Sequence, residues 1–530
     1  MNLRQKQLVE SVSVGGIAFL AYLAGGYYLS QVLHYLPHDG LARMVSAFLV
    51  LNGTEVKLAT IGFVWPPLPT LVLIPFAAVR YLVDSWLALV ICSALFMGIS
   101  AMLLNRLCAK FEMPLVFRLL FSLIYVTNPM TIVFGANGMS EAVLSAFLLA
   151  SVYWLVRYWQ SGRHLHMIMA AFFLGMLPLI RYEMLLFTAA SGVLVIIQTY
   201  AARHAKDKIP FRDLLEGNLL AYGAMVVYPV FLWMVANWEI MGSPLYFLRN
   251  DRSAISVSGK EITGAGLDTN FVPAMEWCFR AWIELFPLVF VACILALVIG
   301  VWKRSPFLFA MGGIALITPV FLGYSLYRGS VIPLLRYFIV EVPLGIVVAL
   351  IAWRVLYPNL QKKRASYIFL GGLAAVGLLS NISTVNLFST YKVVSVEMLS
   401  WVGFTQPDKL DRSGFMQFED GYTIGKFLPN IIPPGKRILM DTYAGGYAVI
   451  LASGNNKMFL DYTDPDFEAA AREPWKYADY VLVPSVYTEG DLNYINLKQR
   501  TLYTLGATWA EPVKGLPETS YGWKLFKIIK

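Results

Sequence analysis

Up to about residue 390 the chain alternates between membrane-length apolar segments and short polar breaks. A helix crossing a bilayer needs about 20 predominantly apolar residues. Runs near that size stand at 10–33, 66–83, 86–105, 114–134, 141–159, 166–180, 183–200, 218–238, 285–301, 307–325, 337–357 and 366–386. Several of them are short or broken by proline, and two stand out. These are the Pro-rich 66–83 segment and the 114–140 region, which Pro129 divides. They are where a span is expected to fall short or to double back.

Between the first two runs lies a stretch of different character, His34 to Pro75. It begins with His38-Asp39, where the first span leaves the bilayer, and continues as an amphipathic run from Leu41 to Leu51. It re-enters apolar territory through Trp65-Pro66-Pro67-Leu68-Pro69. A carboxylate at the membrane surface followed by a helix lying along that surface is the expected reactive edge of a membrane-embedded enzyme. After about Ser395 no run is long enough to span. Short β-type runs at 437–441, 457–461, 479–483 and 522–529 alternate there with helix-like stretches at 466–473 and 491–506. That alternation predicts a small α/β domain.

The Lys/Arg bias orients the spans. Arg4 and Lys6 place the N-terminus in the cytoplasm as a retained anchor, which puts the His38-Asp39 loop outside. The basic clusters Arg203 to Lys208, Lys303-Arg304 and Lys362-Lys363-Arg364 read as cytoplasmic. The loops 240–284 and 326–336 and the C-terminal domain are then external. An inside start and an outside finish require an odd number of crossings, 11 or 13 by this reading. The expected fold is a polytopic α-helical membrane protein, with a transmembrane domain over 1–390 and an extracytoplasmic α/β domain over 391–530.

Composition agrees and removes alternatives. The chain of 530 residues is 58% hydrophobic and 14% charged, with mean hydropathy +0.61, whereas soluble domains are about 25% charged. The net charge of +9 belongs to helix ends and not to a nucleic-acid surface, because no basic run is interleaved with aromatics. Cys92, Cys108, Cys278 and Cys293 lie in or beside apolar segments without C-x-x-C spacing, which argues against disulfides and zinc. No phosphate-binding glycine loop, G-x-S-x-G or H-E-x-x-H is present, so an ATP-driven pump is disfavoured.

Ionisable residues at membrane surfaces are functional candidates by default. Asp39 reads either as a general base or metal ligand or as a helix N-cap. Glu141, after Ser140 at the outer mouth of a span, is either a first-turn acid matched to the helix dipole or a second carboxylate facing Asp39. Arg336 stands at the outer entrance of the 337–357 run, where a guanidinium fork suits a lipid-carrier phosphate; the alternative is a snorkelling arginine. Lys57 and Arg43 are further phosphate candidates. Arg181 and Glu183 read as an internal ion pair. His34 and His38 stand at helical spacing for a metal, with Asp39, or are plain interfacial residues.

Five pieces in order carry a resemblance. They are Asp39 in the first outer loop, GFVWPPLPTLVL at 62–73, NGMSEAVLSAFLLASVYWLVRYW at 137–159, PLIRYEMLLF at 178–187 and LLRYFIVEVPLG at 334–345. Together they resemble the GT-C superfamily of integral-membrane glycosyltransferases, near the dolichyl-phosphate-mannose mannosyltransferase and aminoarabinose transferase group. The resemblance implies sugar transfer from a polyprenyl-phosphate carrier to an acceptor at the extracytoplasmic face of a bacterial or archaeal cell membrane. It further implies Asp39 as the base or acceptor-side acid and Arg336 as the carrier-phosphate ligand. Asp39 is followed by Gly40 where some relatives carry a second acid, which makes Glu141 the better second carboxylate. Donor and bilayer are the expected partners, with a glycan, lipid or protein acceptor and no nucleic acid. A divalent metal, held by Asp39, Glu141 and His38, is an open option. The competing readings are a transporter or flippase of lipid-linked glycans and a glycan ligase or polymerase. Against transport, no internal repeat is visible.

Overall fold

The computed structural model describes residues 2–53, 56–202, 210–249, 270–358, 363–390 and 395–529. The centre of the expected outer loop 240–284 and the basic cluster Arg203 to Lys208, together with Lys362, lie outside the described residues.

The first helix, Leu3–Tyr27, starts from a capping box. The Asn2 side chain accepts from the Gln5 N–H, and the Gln5 side chain accepts from the Asn2 N–H, both at 2.9 Å. The helix continues through a π turn at Tyr28–Val32 and stops at His34, whose φ is +47°. It packs on the helix Leu87–Lys110 through small residues. A Cβ on Gly15 would sit 2.8 Å from the Gly98 carbonyl oxygen, and one on Gly98 would sit 2.8 Å from that of Gly15. Close backbone approach of this kind is how helices associate in lipid, where apolar burial alone gives little drive.

Among the described residues, eight helices are long and apolar enough to cross a membrane, or ten if two bent pairs each count as one. The pairs bend at prolines, Leu115–Val126 with Pro129–Ala136 by 63° and Phe271–Leu285 with Pro287–Trp302 by 99°. Proline has no N–H to donate and drives the residue before it out of the helical region. Asn128 (ψ 132°) and Phe286 (φ −146°, ψ 77°) show this. The two shorter apolar helices are Leu68–Ala77 and His164–Leu179. The Pro-rich 66–83 run therefore yields only a ten-residue helix and a brief turn at Arg80–Asp84.

The C-terminal region holds a five-stranded sheet: β1 (Ile438–Met440), β2 (Phe459–Leu460), β3 (Tyr480–Val483), β4 (Ala510–Pro512) and β5 (Lys524–Ile528), in the order β2-β1-β3-β5-β4. The first three are parallel, with Ile438 opposite Phe459 on one side and Tyr480 on the other. Strand β5 runs antiparallel to β3 (Tyr480 opposite Lys527) and β4 antiparallel to β5. Strand β4 gave no sequence signal because it is three residues long and ends in Pro512, which an edge tolerates. The helical stretch expected at 491–506 is two short helices, Tyr494–Lys498 and Leu502–Leu505.

The amphipathic run after Asp39 forms the helix His38–Asn52, and it is not free on the surface. Its Leu41, Met44, Val45 and Phe48 belong to one buried cluster with Leu73, Ala77 and Leu89 of the membrane part and with Phe415, Phe418, Met440 and Tyr447 of the C-terminal region. The helix is thus clamped between the two, which fixes what its first turn presents.

Candidate active site

Asp39 is the second residue of its helix. Pro37 occupies the N-cap position, so the capping alternative does not hold: the Asp39 carboxylate sits in the first turn, favoured by the helix dipole and left for other work. Gly40 is buried because the turn before the helix Glu141–Ser161 comes that close. A Cβ on Gly40 would lie 3.3 Å from the Gly138 carbonyl oxygen, and Gly138 itself takes φ +78° against Leu89. The residue that departs from a second acid is therefore the one that lets the Asp39 and Glu141 turns meet.

Two ion-pair systems occupy this junction. In the first, Asp39 Oδ2 accepts from Arg336 Nη1 at 3.4 Å, with the aspartate side chain 40% exposed and the arginine 19%. The Arg336 backbone N–H donates to Glu397 Oε1 at 3.0 Å, whereas its buried Nε has no hydrogen-bond partner. In the second, Arg181 bridges Glu141 (Nη1 to Oε1, 2.5 Å) and Glu183, with Glu141 completely buried. The two systems share Tyr337, whose ring lies 4.9 Å from the Arg181 guanidinium carbon and 5.9 Å from that of Arg336. Ser140 stands at the N-cap of the Glu141 helix but makes no capping bond. Its hydroxyl donates to Glu141 Oε2 at 3.3 Å.

Arg43 lies one turn beyond Asp39 and points to the re-entry segment. It donates to the Pro66 carbonyl (3.2 Å) and the Thr70 hydroxyl (3.4 Å) and covers the Trp65 ring at 4.8 Å. Burial pulls its guanidinium down to about 10, against the Asp39 carboxylate, which favours the charged form. Lys57 reaches the C-terminal region, where its Nζ pairs with Asp464 Oδ1 at 2.7 Å. The His38 ring packs edge-on to Tyr447 at 4.9 Å, and the Tyr447 hydroxyl donates to the His38 carbonyl at 3.5 Å. His34 packs against Trp86 and Phe415. Among the described residues no three His, Cys, Asp or Glu side chains are grouped to hold a metal ion. Asp39, Glu141 and His38 are thus not assembled as a ligand set, because Glu141 is turned to Arg181 and the His38 ring to Tyr447.

The sequence reading missed Glu397 and Tyr182. Glu397 is wholly buried, and burial holds its carboxyl above the usual range while Arg336 opposes that rise. A single charged residue in the short run Val396 to Trp401 was the available signal. The Tyr182 hydroxyl accepts from Trp233 Nε1 at 3.2 Å and its ring stacks on Phe247, walling the side of the site next to Arg43.

The junction therefore presents a partly exposed carboxylate beside a guanidinium with a spare buried donor. Its surroundings are locked by ion pairs and rings. It has the parts to accept a proton and to hold an anion side by side.

No protein-family model and no curated protein matches the chain. Among solved structures it is similar to ArnT from Cupriavidus metallidurans, crystallised bound to undecaprenyl phosphate, with a TM-score of 0.52 and 14% identity over 97% of each chain. Likeness at this identity concerns architecture alone, and it extends through both the membrane helices and the C-terminal sheet: the chain shares the overall fold of that ArnT structure.

Proposed function

We propose that the protein transfers a sugar from a polyprenyl-phosphate donor to an acceptor hydroxyl at the membrane face that carries Asp39. The observation that carries this reading is the Asp39–Arg336 pair with the unpartnered Arg336 Nε. A carrier phosphate takes the place of the Asp39 carboxylate on Arg336 and satisfies Nε at the same time. Asp39 is then released to face the acceptor. The fold's resemblance to an enzyme solved with undecaprenyl phosphate supports the choice of an isoprenoid phosphate as the anion.

The step needs no nucleotide, since the donor already holds an activated glycosyl bond. The acceptor oxygen bonds to the anomeric carbon, its proton passes to Asp39, and the bond from anomeric carbon to phosphate oxygen breaks. The electron pair leaves on the phosphate, where Arg336 stabilises it. A single displacement inverts the anomeric centre. Glu141 and Glu183 act at one remove by holding Arg181 and, through it, Tyr337. Arg43 fixes the re-entry segment, and Lys57 takes part only by exchanging Asp464 for the donor.

The test is transfer from radiolabelled polyprenyl-phosphate sugars in proteoliposomes, comparing the natural protein with Asp39→Asn. We expect at least about a hundredfold loss in a folded variant, roughly 2.7 kcal/mol of transition-state stabilisation. Equal transfer by both would remove Asp39 from the chemistry. No transfer from any donor by the natural protein would overturn the reading in favour of transport.

A further inference from the structure

The membrane face opposite Asp39 carries a second charged site. Arg4 begins the first helix, Arg106 and Lys110 end the helix Leu87–Lys110, Arg157 ends the helix Glu141–Ser161, and Arg163 caps the helix His164–Met176. With Ser161 and His166 these five cations line one cavity of about 560 Å³. Basic residues at helix ends are common, and most snorkel outward separately. Here four segments aim them at a common space.

The cavity is built and not incidental. His166 is 5% exposed, and its Nδ1 lies 2.7 Å from the Ser161 hydroxyl and 3.2 Å from the Arg157 carbonyl. Its Nε2 lies 3.3 Å from Arg157 Nη2, so the ring holds that guanidinium in place. The nearby acids are already committed. Glu10 pairs with Arg118 at 2.6 Å and Glu112 with Arg354 at 3.0 Å. None of the five cavity cations is ion-paired with a described residue. The charges acting on the Lys110 ammonium are those of Arg157, Arg106 and Arg4, all of its own sign.

A cluster of like charges held together by its own scaffold is stabilised by an anion among them. Its level, at helix ends beside the exposed apolar side chains of Leu8, Val12 and Leu165, is the level of lipid headgroups. We propose that this cavity binds the phosphate headgroup of an anionic phospholipid on the membrane face opposite the transfer site. The phosphodiester would accept from the Arg106, Arg157 and Arg163 guanidiniums and the Lys110 ammonium, with its acyl chains along the adjacent apolar surface.

Native mass spectrometry of the full chain in neutral detergent tests this, with phosphatidylglycerol and phosphatidylcholine of matched acyl chains as probes. The natural protein should retain phosphatidylglycerol selectively. A triple variant, Arg106→Gln with Lys110→Gln and Arg163→Gln, should lose that retention by roughly a hundredfold, at about a factor of five per basic residue removed. The same variant should melt no lower than the natural protein in lipid-free detergent, because the change relieves repulsion and leaves the Arg157–His166 contact in place. The charge-conserving pair Arg106→Lys and Arg163→Lys should keep the retention. Equal retention of both lipids, or undiminished retention by the triple variant, would overturn the proposal. So would thermal stabilisation by inorganic pyrophosphate that matches stabilisation by phosphatidylglycerol, since the ligand would then be a soluble phosphate. None of these readouts depends on sugar transfer.

Discussion

The helix Glu141–Ser161 connects two opposite treatments of charge. At its N-terminus, Glu141 is fully buried and answered by Arg181, which also answers Glu183. At its C-terminus, Arg157 stands among cations with a neutral histidine contact and no acid. At the first end Asp39, Glu141 and Glu183 are each paired with an arginine of the chain, and among its described groups Arg336 Nε and Glu397 Oε2 are buried without a hydrogen-bond partner. At the second the matching must come from outside. Desolvating an ion costs several kcal/mol unless a partner compensates, so a matched network keeps its geometry before substrate arrives. On the proposed function, the unpartnered donor Arg336 Nε marks where the donor's negative charge belongs. The unmatched cluster keeps its cations near water and membrane surface, where an exchangeable anion can reach them.

The most severe way to break the comparison is to unmatch the buried end. Replacing Arg181 by methionine leaves the Glu141 carboxylate buried without its counter-ion. We expect a loss of about 3–5 kcal/mol of stability, the usual result of removing one partner of a buried pair. Thermal unfolding in detergent measures it. The double variant Arg181→Met with Glu141→Gln should recover most of that loss, since a neutral amide no longer needs a cation. If the single and double variants melt alike, Glu141 is not held by charge, and the contrast between the two ends fails.

A second prediction concerns the rim of the site, where Asp461 and Asp464 share the neighbourhood of Lys57. Burial, reinforced by the Asp464 charge, pushes the Asp461 carboxyl up to about 6, above its unfolded value near 3.9. The folded state therefore holds a proton that the unfolded state has released between these values. Stability is fully present below about pH 4 and falls as pH rises through about 6, by roughly 2–3 kcal/mol on this account. Asp461→Asn should flatten that segment of the stability curve. An unchanged slope in the variant would show that Asp461 is charged in the fold, with the rim matched after all.

Smaller in effect, and directed at position instead of charge, is Gly40→Ala. The added Cβ must displace the Gly138 carbonyl by a few tenths of an ångström from its 3.3 Å approach, which moves the Asp39 turn away from Arg336. Because catalytic geometry is sensitive on this scale, kcat should fall by about tenfold with little change in melting temperature. A variant as active as the natural protein would show that the closeness of the two turns is a packing matter only.

Much of this was legible in the chain itself, for reasons particular residues make plain. Length and apolarity alone announce helices such as Leu87–Lys110, and an exit acid such as Asp39 stands out because the surface beside it is apolar. Arg181 and Glu183, two residues apart, also suggested a pair. What local pattern does not carry is three-dimensional partnership. Nothing in the sequence indicates that Glu141 spends its charge on Arg181, or that Lys57 crosses to Asp464 more than 400 residues later. Glu397 contacts Arg336 across 61 residues and looks like a stray acid in a short run. The Phe286-Pro287 bend was hidden for another reason: the run 285–301 looks like a complete span, while its partner helix Phe271–Leu285 is more polar and was assigned to the loop.

The mildest prediction asks whether the rim lysine belongs to the matched network or is lent to it. Lys57 and Asp464 form a pair with side chains 18% and 15% exposed, so its net contribution to stability is only on the order of 1 kcal/mol. An anion of higher charge than a carboxylate can displace Asp464 at that cost. Asp464→Asn lowers the cost, because the amide holds the ammonium by a neutral hydrogen bond alone. If Lys57 is shared with the donor phosphate, the variant should show a KM for the polyprenyl-phosphate sugar lower by about two- to threefold, with kcat unchanged. A KM that stays constant while the melting temperature drops by a degree or two would make Lys57 a clasp between the Asp39 loop and the C-terminal sheet. The carrier phosphate would then rest on Arg336 without help from the rim, which sharpens the contrast: one open donor at the matched end, and an anion's whole coordination shell at the other.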